Sequence, residues 1–161
     1  MNEIHLHLLT NHLPIIGVLI ATIILISGLL LKKKDITSTG VFTLLFSGIS
    51  AYIAHVTGEK AEHIAENIPG VTEALIEHHE ESSQPFFILM LIVATVALIC
   101  IFLKNRNQNL YKYGTYLLAI LGVASIGFSY KAGKSGGEIR HEEIREGYVV
   151  PSANEIESDS H

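Results

Sequence analysis

Four long apolar segments constrain the fold of this chain more than any other feature of its sequence. They run over Ile4–Leu31, Ile36–Thr57, Pro85–Leu103 and Leu110–Tyr130. A helix needs roughly 20 apolar residues to cross the hydrocarbon core of a bilayer, and each segment is about that long. The chain has only 161 residues, of which 48% are hydrophobic, so little of it remains for a separate soluble domain. The sequence therefore predicts an all-α, integral membrane four-helix bundle.

The basic residues between the segments predict how the bundle is oriented. Lys32–Lys34 follow the first segment, and the loop Lys104–Lys112 separates the third from the fourth. Short cytoplasmic loops are enriched in Lys and Arg, so both loops are expected in the cytoplasm and both termini on the opposite side. Of the 16 Asp and Glu residues, only Asp35 falls on the cytoplasmic side. We therefore predict a multi-pass protein of the bacterial inner membrane with an acidic periplasmic face.

The helical pattern of the second and third segments continues past the expected membrane boundary. An apolar stripe among polar neighbours persists from the second segment to Ile68, and a similar stripe leads back to the third. Between them, Pro69–Gly70 has the composition of a turn. We therefore expect Gly58–Gln84 to form a helical hairpin that extends helices 2 and 3 beyond the membrane.

Proline and glycine residues predict where the outer helices bend or end. Pro14 is expected to kink the first helix, because proline removes one helical hydrogen bond. Gly133 and Gly136–Gly137 are expected to end the fourth helix. Residues 1–148 then form the transmembrane domain, and the polar, acidic residues 149–161 form a flexible tail.

All nine histidines fall on the predicted periplasmic side. Imidazole is a common ligand of haem iron and of zinc, copper and non-haem iron. Counting from the cytoplasmic ends of the helices places His12 and His55 near the outer edge of the ~30 Å hydrocarbon core. A second layer lies further out, and its members are His7, His63, His79 and His141. This one-sided clustering indicates a haem or metal site near one membrane face.

The favoured interpretation is a b-type haem held by two histidines from different helices. The candidate ligands are His12, His79, His55, His141 and His7. His12 is expected to matter most, because it lies beside Asn11 at the hydrocarbon edge, where ionisable residues are usually functional. One haem is expected, or two if each layer holds one. Covalent c-type haem is excluded because Cys100 is the only cysteine. For any single histidine, the plainer interpretation is a polar side chain in contact with interfacial water.

Two alternatives remain open on the sequence. The first is a transition-metal site for di-iron, zinc or copper, because three pairs have the i, i+3 spacing that places two ligands on one helix face. These pairs are His63 with Glu66, His78 with Glu81, and Glu138 with His141. The signal is weak, since a solvated face rich in Glu and His produces such pairs by chance. The second alternative is a structural subunit of a membrane complex that carries no cofactor.

Several classes of function have no support in the sequence. There is no phosphate-binding loop, no nucleophile elbow and no HExxH zinc motif. No charged residue lies at a helix centre, which argues against an ion-coupled transporter, and the acidic face argues against nucleic acid. We expect an electron-transfer protein in the bilayer rather than a stand-alone enzyme. Its partner would be a redox subunit of a respiratory complex or a periplasmic electron carrier. The sequence leaves open whether the chain forms a homo-oligomer.

Five short motifs resemble a family of bacterial membrane proteins known as domain of unknown function 2231. They lie at His7–Pro14 (HLLTNHLP), Thr57–Glu62 (TGEKAE), Ile68–Glu73 (IPGVTE), His79–Glu81 (HEE) and Gly136–His141 (GGEIRH). The resemblance spans about Ile4 to Ile144 and implies a four-helix membrane domain without an established activity. Some members are joined to Rieske iron–sulfur domains, which implies electron transfer. His12, His79 and His141 match histidine positions of the family, with His7 the weaker match, whereas His55 and His78 have no counterpart in its pattern.

Overall fold

A computed structural model describes residues 3–149, and within that range every regular element is helical. The helices are α1 (Glu3–Thr10), α2 (His12–Leu30), α3 (Lys34–Ala65), α4 (Glu73–Leu103) and α5 (Gln108–Arg140). A short 3-10 turn, Glu142–Ile144, follows α5. Nearly all of the tail expected at 149–161, including His161, lies outside the described residues.

Four stretches of helix are long and apolar enough to cross a membrane. They are α1 with α2, then α3, α4 and α5. Each carries large apolar side chains on its outer surface, for example Ile20, Phe46, Leu98 and Ile120, which are 48%, 57%, 59% and 68% exposed. Helices satisfy their own backbone hydrogen bonds, so this surface suits contact with lipid. The structure thus indicates a multi-pass membrane protein and confirms the predicted all-helical, four-helix architecture.

The helices pack as an antiparallel ring. Helix α2 packs on α3, α3 on α4, α4 on α5, and α5 returns to α2, so that α2 and α4 occupy diagonally opposite corners. One fully buried side chain from each of these helices meets in the core: Val18, Leu44, Met90 and Leu118. Helix α1 packs on α3. The end of the bundle where α1 and α4 begin and α3 and α5 end is called the histidine end below, because all eight described histidines lie there.

Small residues hold the first two spans in close contact. A Cβ atom on Gly28 would lie 2.4 Å from the backbone nitrogen of Thr37, and one on Gly40 would lie 2.6 Å from the Cα of Leu25. Both contacts are with backbone, which cannot rotate away as a side chain can. Glycine therefore sets the distance between α2 and α3, as small residues do at helix interfaces in lipid.

The structure bears on two predictions about where helices bend or end, one at Pro14 and one at the glycines of the last helix. The first span is interrupted at Asn11, because Pro14 has no N–H to donate to the carbonyl of Thr10. In contrast, the prediction that Gly133 and Gly136–Gly137 end the last helix is wrong, since α5 continues to Arg140. Gly136 lies against the ring of His79 instead. Gly136 therefore lets the His79 ring of α4 pack closely against α5, and the direction of the chain does not change there.

The turn between α3 and α4 lies where the sequence predicts it. Gly70 has a positive φ of 82°, a conformation that residues with a Cβ atom rarely adopt. The segment after α5 packs back onto this turn, where Arg145 donates a hydrogen bond of 3.3 Å to the Gly70 carbonyl. Arg145 also donates to the carbonyl of Glu138 at 2.7 Å, so it connects the end of α5 to the α3–α4 turn.

Candidate functional site

Two histidines from opposite corners of the bundle approach each other at the histidine end. His7 lies on α1, at the start of the first span, and His79 lies near the start of α4. Both are partly buried. They are close enough that a charge on His7 acts on His79. The first span and α4 occupy diagonally opposite corners of the bundle, so the two histidines lie on opposite sides of its middle.

The hydrogen bonds of His7 determine its tautomer. Its Nδ1 lies 3.1 Å from the carbonyl oxygen of Ala54 and 3.4 Å from Oγ1 of Thr57, both on α3. A carbonyl oxygen can only accept, so Nδ1 carries the proton and donates. The Nε2 atom of His7 then keeps its lone pair. An imidazole in this state is a competent metal ligand.

The hydrogen bonds of His79 lead to the same tautomer by another route. Its Nδ1 lies 3.0 Å from Oγ of Ser135 on α5. The hydroxyl proton of Ser135 already points to carbonyls of its own helix, those of Lys131 at 3.0 Å and Ala132 at 3.2 Å. Oγ therefore accepts from Nδ1 of His79, and Nε2 of His79 is again the unprotonated nitrogen.

Each of these two rings rests on a glycine of the neighbouring helix. A Cβ atom on Gly58 would lie 3.1 Å from Cε1 of His7, and a Cβ atom on Gly136 would lie 3.1 Å from Cε1 of His79. A Cβ atom at either position would require the ring to shift by a few tenths of an ångström. The two imidazoles are thus held in similar ways, each by hydrogen bonding at Nδ1 and by one glycine against the ring, although His7 has two partners at Nδ1 and His79 has one.

The other candidate haem ligands have different surroundings. His12 is exposed at the start of α2 and makes no hydrogen bond to the protein within residues 3–149. His55 stacks on Phe87 with ring centroids 3.9 Å apart, and its Nε2 lies 3.5 Å from Oε1 of Glu59. Neither imidazole has the Nδ1 anchor and the glycine contact that hold His7 and His79. The prediction that His12 dominates remains to be tested by mutation.

His141 is exposed beyond the end of α5. Its Nδ1 lies 2.9 Å from Oε1 of Glu143. The pKa of Glu143 is lowered, first by a hydrogen bond from its own backbone N–H and then by its hydrogen bond with His141. His141 is thus bound to a carboxylate in solvent and is not directed into the bundle.

The structure brings together only part of the residues considered for a metal site. Nε2 of His78 lies 3.8 Å from Oε2 of Glu138, and the other oxygen of Glu138 lies 3.5 Å from Nζ of Lys134. His63, Glu66 and Glu81 are exposed. Within residues 3–149, no group of three or more His, Cys, Asp or Glu side chains is arranged to hold a metal ion. Cys100 is buried near the opposite end of the bundle.

Reasoning from the sequence missed the residues that orient His7 and His79. They are Thr57 with Gly58, and Ser135 with Gly136. A signal was present, because the pattern Ala-x-x-Ser/Thr-Gly occurs at Ala54–Gly58 and again at Ala132–Gly136, near the end of α3 and near the end of α5. Singly, small residues in a membrane helix are common and predict only packing.

Comparisons with known proteins found no match among protein-family models, curated proteins or solved structures. The resemblance to domain of unknown function 2231 therefore remains an expectation from the sequence.

Proposed function

We propose that this protein is a membrane-bound b-type cytochrome whose haem iron binds between His7 and His79. One observation carries the proposal. Two partly buried imidazoles from diagonal corners of the bundle are both anchored through Nδ1, and each keeps an unprotonated Nε2. Metal-binding histidines in proteins usually donate their other ring N–H to a carbonyl or similar acceptor, which fixes the tautomer and orients the ring. The arrangement of His7 and His79 fits that pattern.

The donor set also fits haem better than a bare metal ion. A porphyrin supplies four nitrogen ligands, so the protein needs to provide only two, whereas a protein-bound zinc or di-iron site needs three or more. Within the described residues only pairs are available. The residues one turn before Thr57 and Ser135 are small, with Ala54 on α3 and Ala132 on α5, and both are buried. Small side chains at these positions suit a flat macrocycle between the helices.

The site suits electron transfer rather than oxygen chemistry. Haem would supply one-electron redox chemistry, and His7 and His79 would hold its iron with two protein ligands, a donor set suited to electron transfer. The protein contributes a rigid orientation of both rings, since Nδ1 of each ring is already held. The surrounding helices leave both rings only partly exposed. We therefore favour an electron-transfer protein within or beside a respiratory complex.

We further propose that the histidine end faces the periplasm, with α3 and α4 continuing beyond the hydrocarbon. The surface there is acidic, and Glu59, Glu62 and Glu77 lie near enough to Glu80 to interact with its charge. Like charges held close together favour a partner of opposite charge. A basic periplasmic electron carrier, or a basic face of a redox subunit, fits this surface.

The orientation can be tested by cysteine labelling in intact cells. In a Cys100→Ala background, Ser83→Cys at the histidine end should react with a membrane-impermeant maleimide, and Asn107→Cys at the other end should react only after the cells are permeabilised. The physical reason is the excess of Lys and Arg at the Asn107 end. Labelling of Asn107→Cys but not Ser83→Cys in intact cells would reverse the proposed topology.

The cofactor can be tested by optical spectroscopy and metal analysis on the purified full-length protein. We expect a red protein with about one non-covalent haem b per chain, and sharp absorption bands in the reduced-minus-oxidised difference spectrum. A colourless protein that contains stoichiometric zinc, copper or iron would overturn the cytochrome in favour of a metal site. A colourless protein without metal would overturn it in favour of a structural subunit.

A further inference from the structure

The two halves of the bundle repeat each other around the histidine pair. The first half consists of the first span (α1 and α2) and α3, and the second half consists of α4 and α5. In each half, the first helix runs away from the histidine end and carries the histidine; we call it the descending helix. The next helix runs back toward the histidine end and carries the residues that hold the histidine; we call it the ascending helix. Both halves begin at the histidine end and run the same way through the bundle.

The repeat extends along α2 and the part of α4 from Phe86 onward. The shift along the sequence that carries His7 onto His79 also carries every buried residue of α2 except Thr22 onto a buried residue of α4. Examples are Val18 onto Met90, Ala21 onto Val93 and Leu25 onto Ala97. From Phe86 onward, every buried residue of α4 has a buried counterpart in the first span.

The ascending helices repeat in the same way with their own constant shift. The shift that carries Thr57 onto Ser135 also carries Ser47 onto Ser125, Ala51 onto Ser129 and Ala54 onto Ala132. Apart from Tyr111 at its start, every buried residue of α5 falls on a buried residue of α3. The two halves are thus related by a pseudo-two-fold axis along the bundle, and the histidine pair lies across that axis.

The local geometry of the two halves agrees at the level of atoms. Thr57 Oγ1 donates to carbonyls of its own helix at 2.9 and 3.0 Å, and Ser135 Oγ does the same at 3.0 and 3.2 Å. The glycine after each hydroxyl residue is equally close to the ring. Nδ1 of His7 would lie 3.4 Å from a Cβ on Gly58, and Nδ1 of His79 would lie 3.4 Å from a Cβ on Gly136.

We infer that Thr57 and Ser135 are equivalent positioning residues, which orient the imidazoles of His7 and His79 toward one ligand on the pseudo-two-fold axis. This inference rests on the proposed function. Each hydroxyl oxygen accepts the Nδ1 proton of its histidine, which increases electron density at Nε2 and strengthens the ligand toward ferric iron. One shared site on the axis also means one haem per chain rather than two.

Loss of the hydroxyl should affect His79 more than His7, because the two histidines differ in their number of hydrogen-bond acceptors. His7 has a second acceptor for its Nδ1 proton, the carbonyl oxygen of Ala54 at 3.1 Å. His79 has Ser135 as its single hydrogen-bond partner within residues 3–149. Removing the hydroxyl of Ser135 should therefore weaken the iron ligand more than removing that of Thr57.

The test is the reduction potential of the haem, measured by redox titration of the purified full-length variants. Ser135→Ala should weaken binding of ferric haem by about tenfold relative to ferrous haem, because second-sphere partners of metal ligands typically contribute that much. A tenfold change is a rise of ~59 mV for a one-electron couple. Thr57→Val should give a smaller rise. Ser135→Thr restores the hydroxyl, so it should keep the wild-type potential.

Ser125→Ala is the matched control. Ser125 is fully buried on the same helix and donates to the carbonyl of Leu121 at 2.8 Å, but it has no hydrogen bond to a histidine. Its removal should leave the potential unchanged. If the wild type contains no haem, the proposed function fails. If the wild type contains haem but Ser135→Ala and Thr57→Val both titrate like Ser125→Ala, the positioning role fails. If Ser135→Ala does not fold, the comparison of Thr57→Val with Ser125→Ala decides the inference.

Discussion

Replacing His79 with alanine is expected to abolish haem binding, and His7→Ala should have the same effect. Each substitution would leave the iron with a single imidazole, and it removes the ring that lies against Gly58 or Gly136. The measurement is the ratio of haem to protein after purification, together with the reduced-minus-oxidised spectrum. We expect less than about a tenth of the wild-type haem content, since loss of even an outer-shell partner of a metal ligand typically costs about 10–100-fold in affinity.

The same experiment decides between His7 and His12. The sequence favours His12 because it lies at the predicted hydrocarbon edge, whereas the structure favours His7 because His7 is anchored to α3 and His12 is exposed. If the structure assigns the ligand correctly, His12→Ala retains haem and His7→Ala loses it. His63→Ala is the control, since His63 is exposed and no hydrogen bond within residues 3–149 joins its side chain to His7 or His79. Retention of haem by both His7→Ala and His79→Ala would reject the assignment.

Substituting alanine for Gly40 or Gly28 is expected to destabilise the bundle strongly. A Cβ atom at either position would overlap backbone atoms of the facing helix at 2.4–2.7 Å, so α2 and α3 must separate. Overpacking of this kind typically costs ~1–3 kcal/mol, which exceeds the gain of up to about 1 kcal/mol from replacing a helical glycine with alanine. The midpoint of thermal unfolding in detergent, followed by circular dichroism, measures the effect.

Gly127 provides the matched control for these two glycines. It lies within α5, is exposed, and has no atom within 4 Å of where a Cβ would be placed. Gly127→Ala should therefore leave the unfolding midpoint unchanged or raise it slightly through helix propensity. Equal midpoints for Gly40→Ala and Gly127→Ala would show that the close contact between α2 and α3 does not limit the stability of the bundle.

Residue patterns predicted the helices more reliably than their ends. The turn at Pro69–Gly70 is readable because proline followed by glycine has few other uses in a helical chain, and the structure places the turn there. The end of α5 was not readable from its glycines. A glycine can terminate a helix or let another side chain approach it, and only the presence of His79 against Gly136 distinguishes the two uses.

The sequence by itself determined the number of spans and the helical class, and it located the histidines at one end of the bundle. These properties depend on the composition of contiguous segments and on the distance of each residue from a segment end. Both can be counted directly along the sequence. Only the tertiary structure decided which histidines meet. Whether an imidazole points inward depends on the rotation of its helix about its own axis and on the residues of the facing helix. The hydrogen bonds of His7 to α3 and of His79 to α5 exist only once those helices have packed.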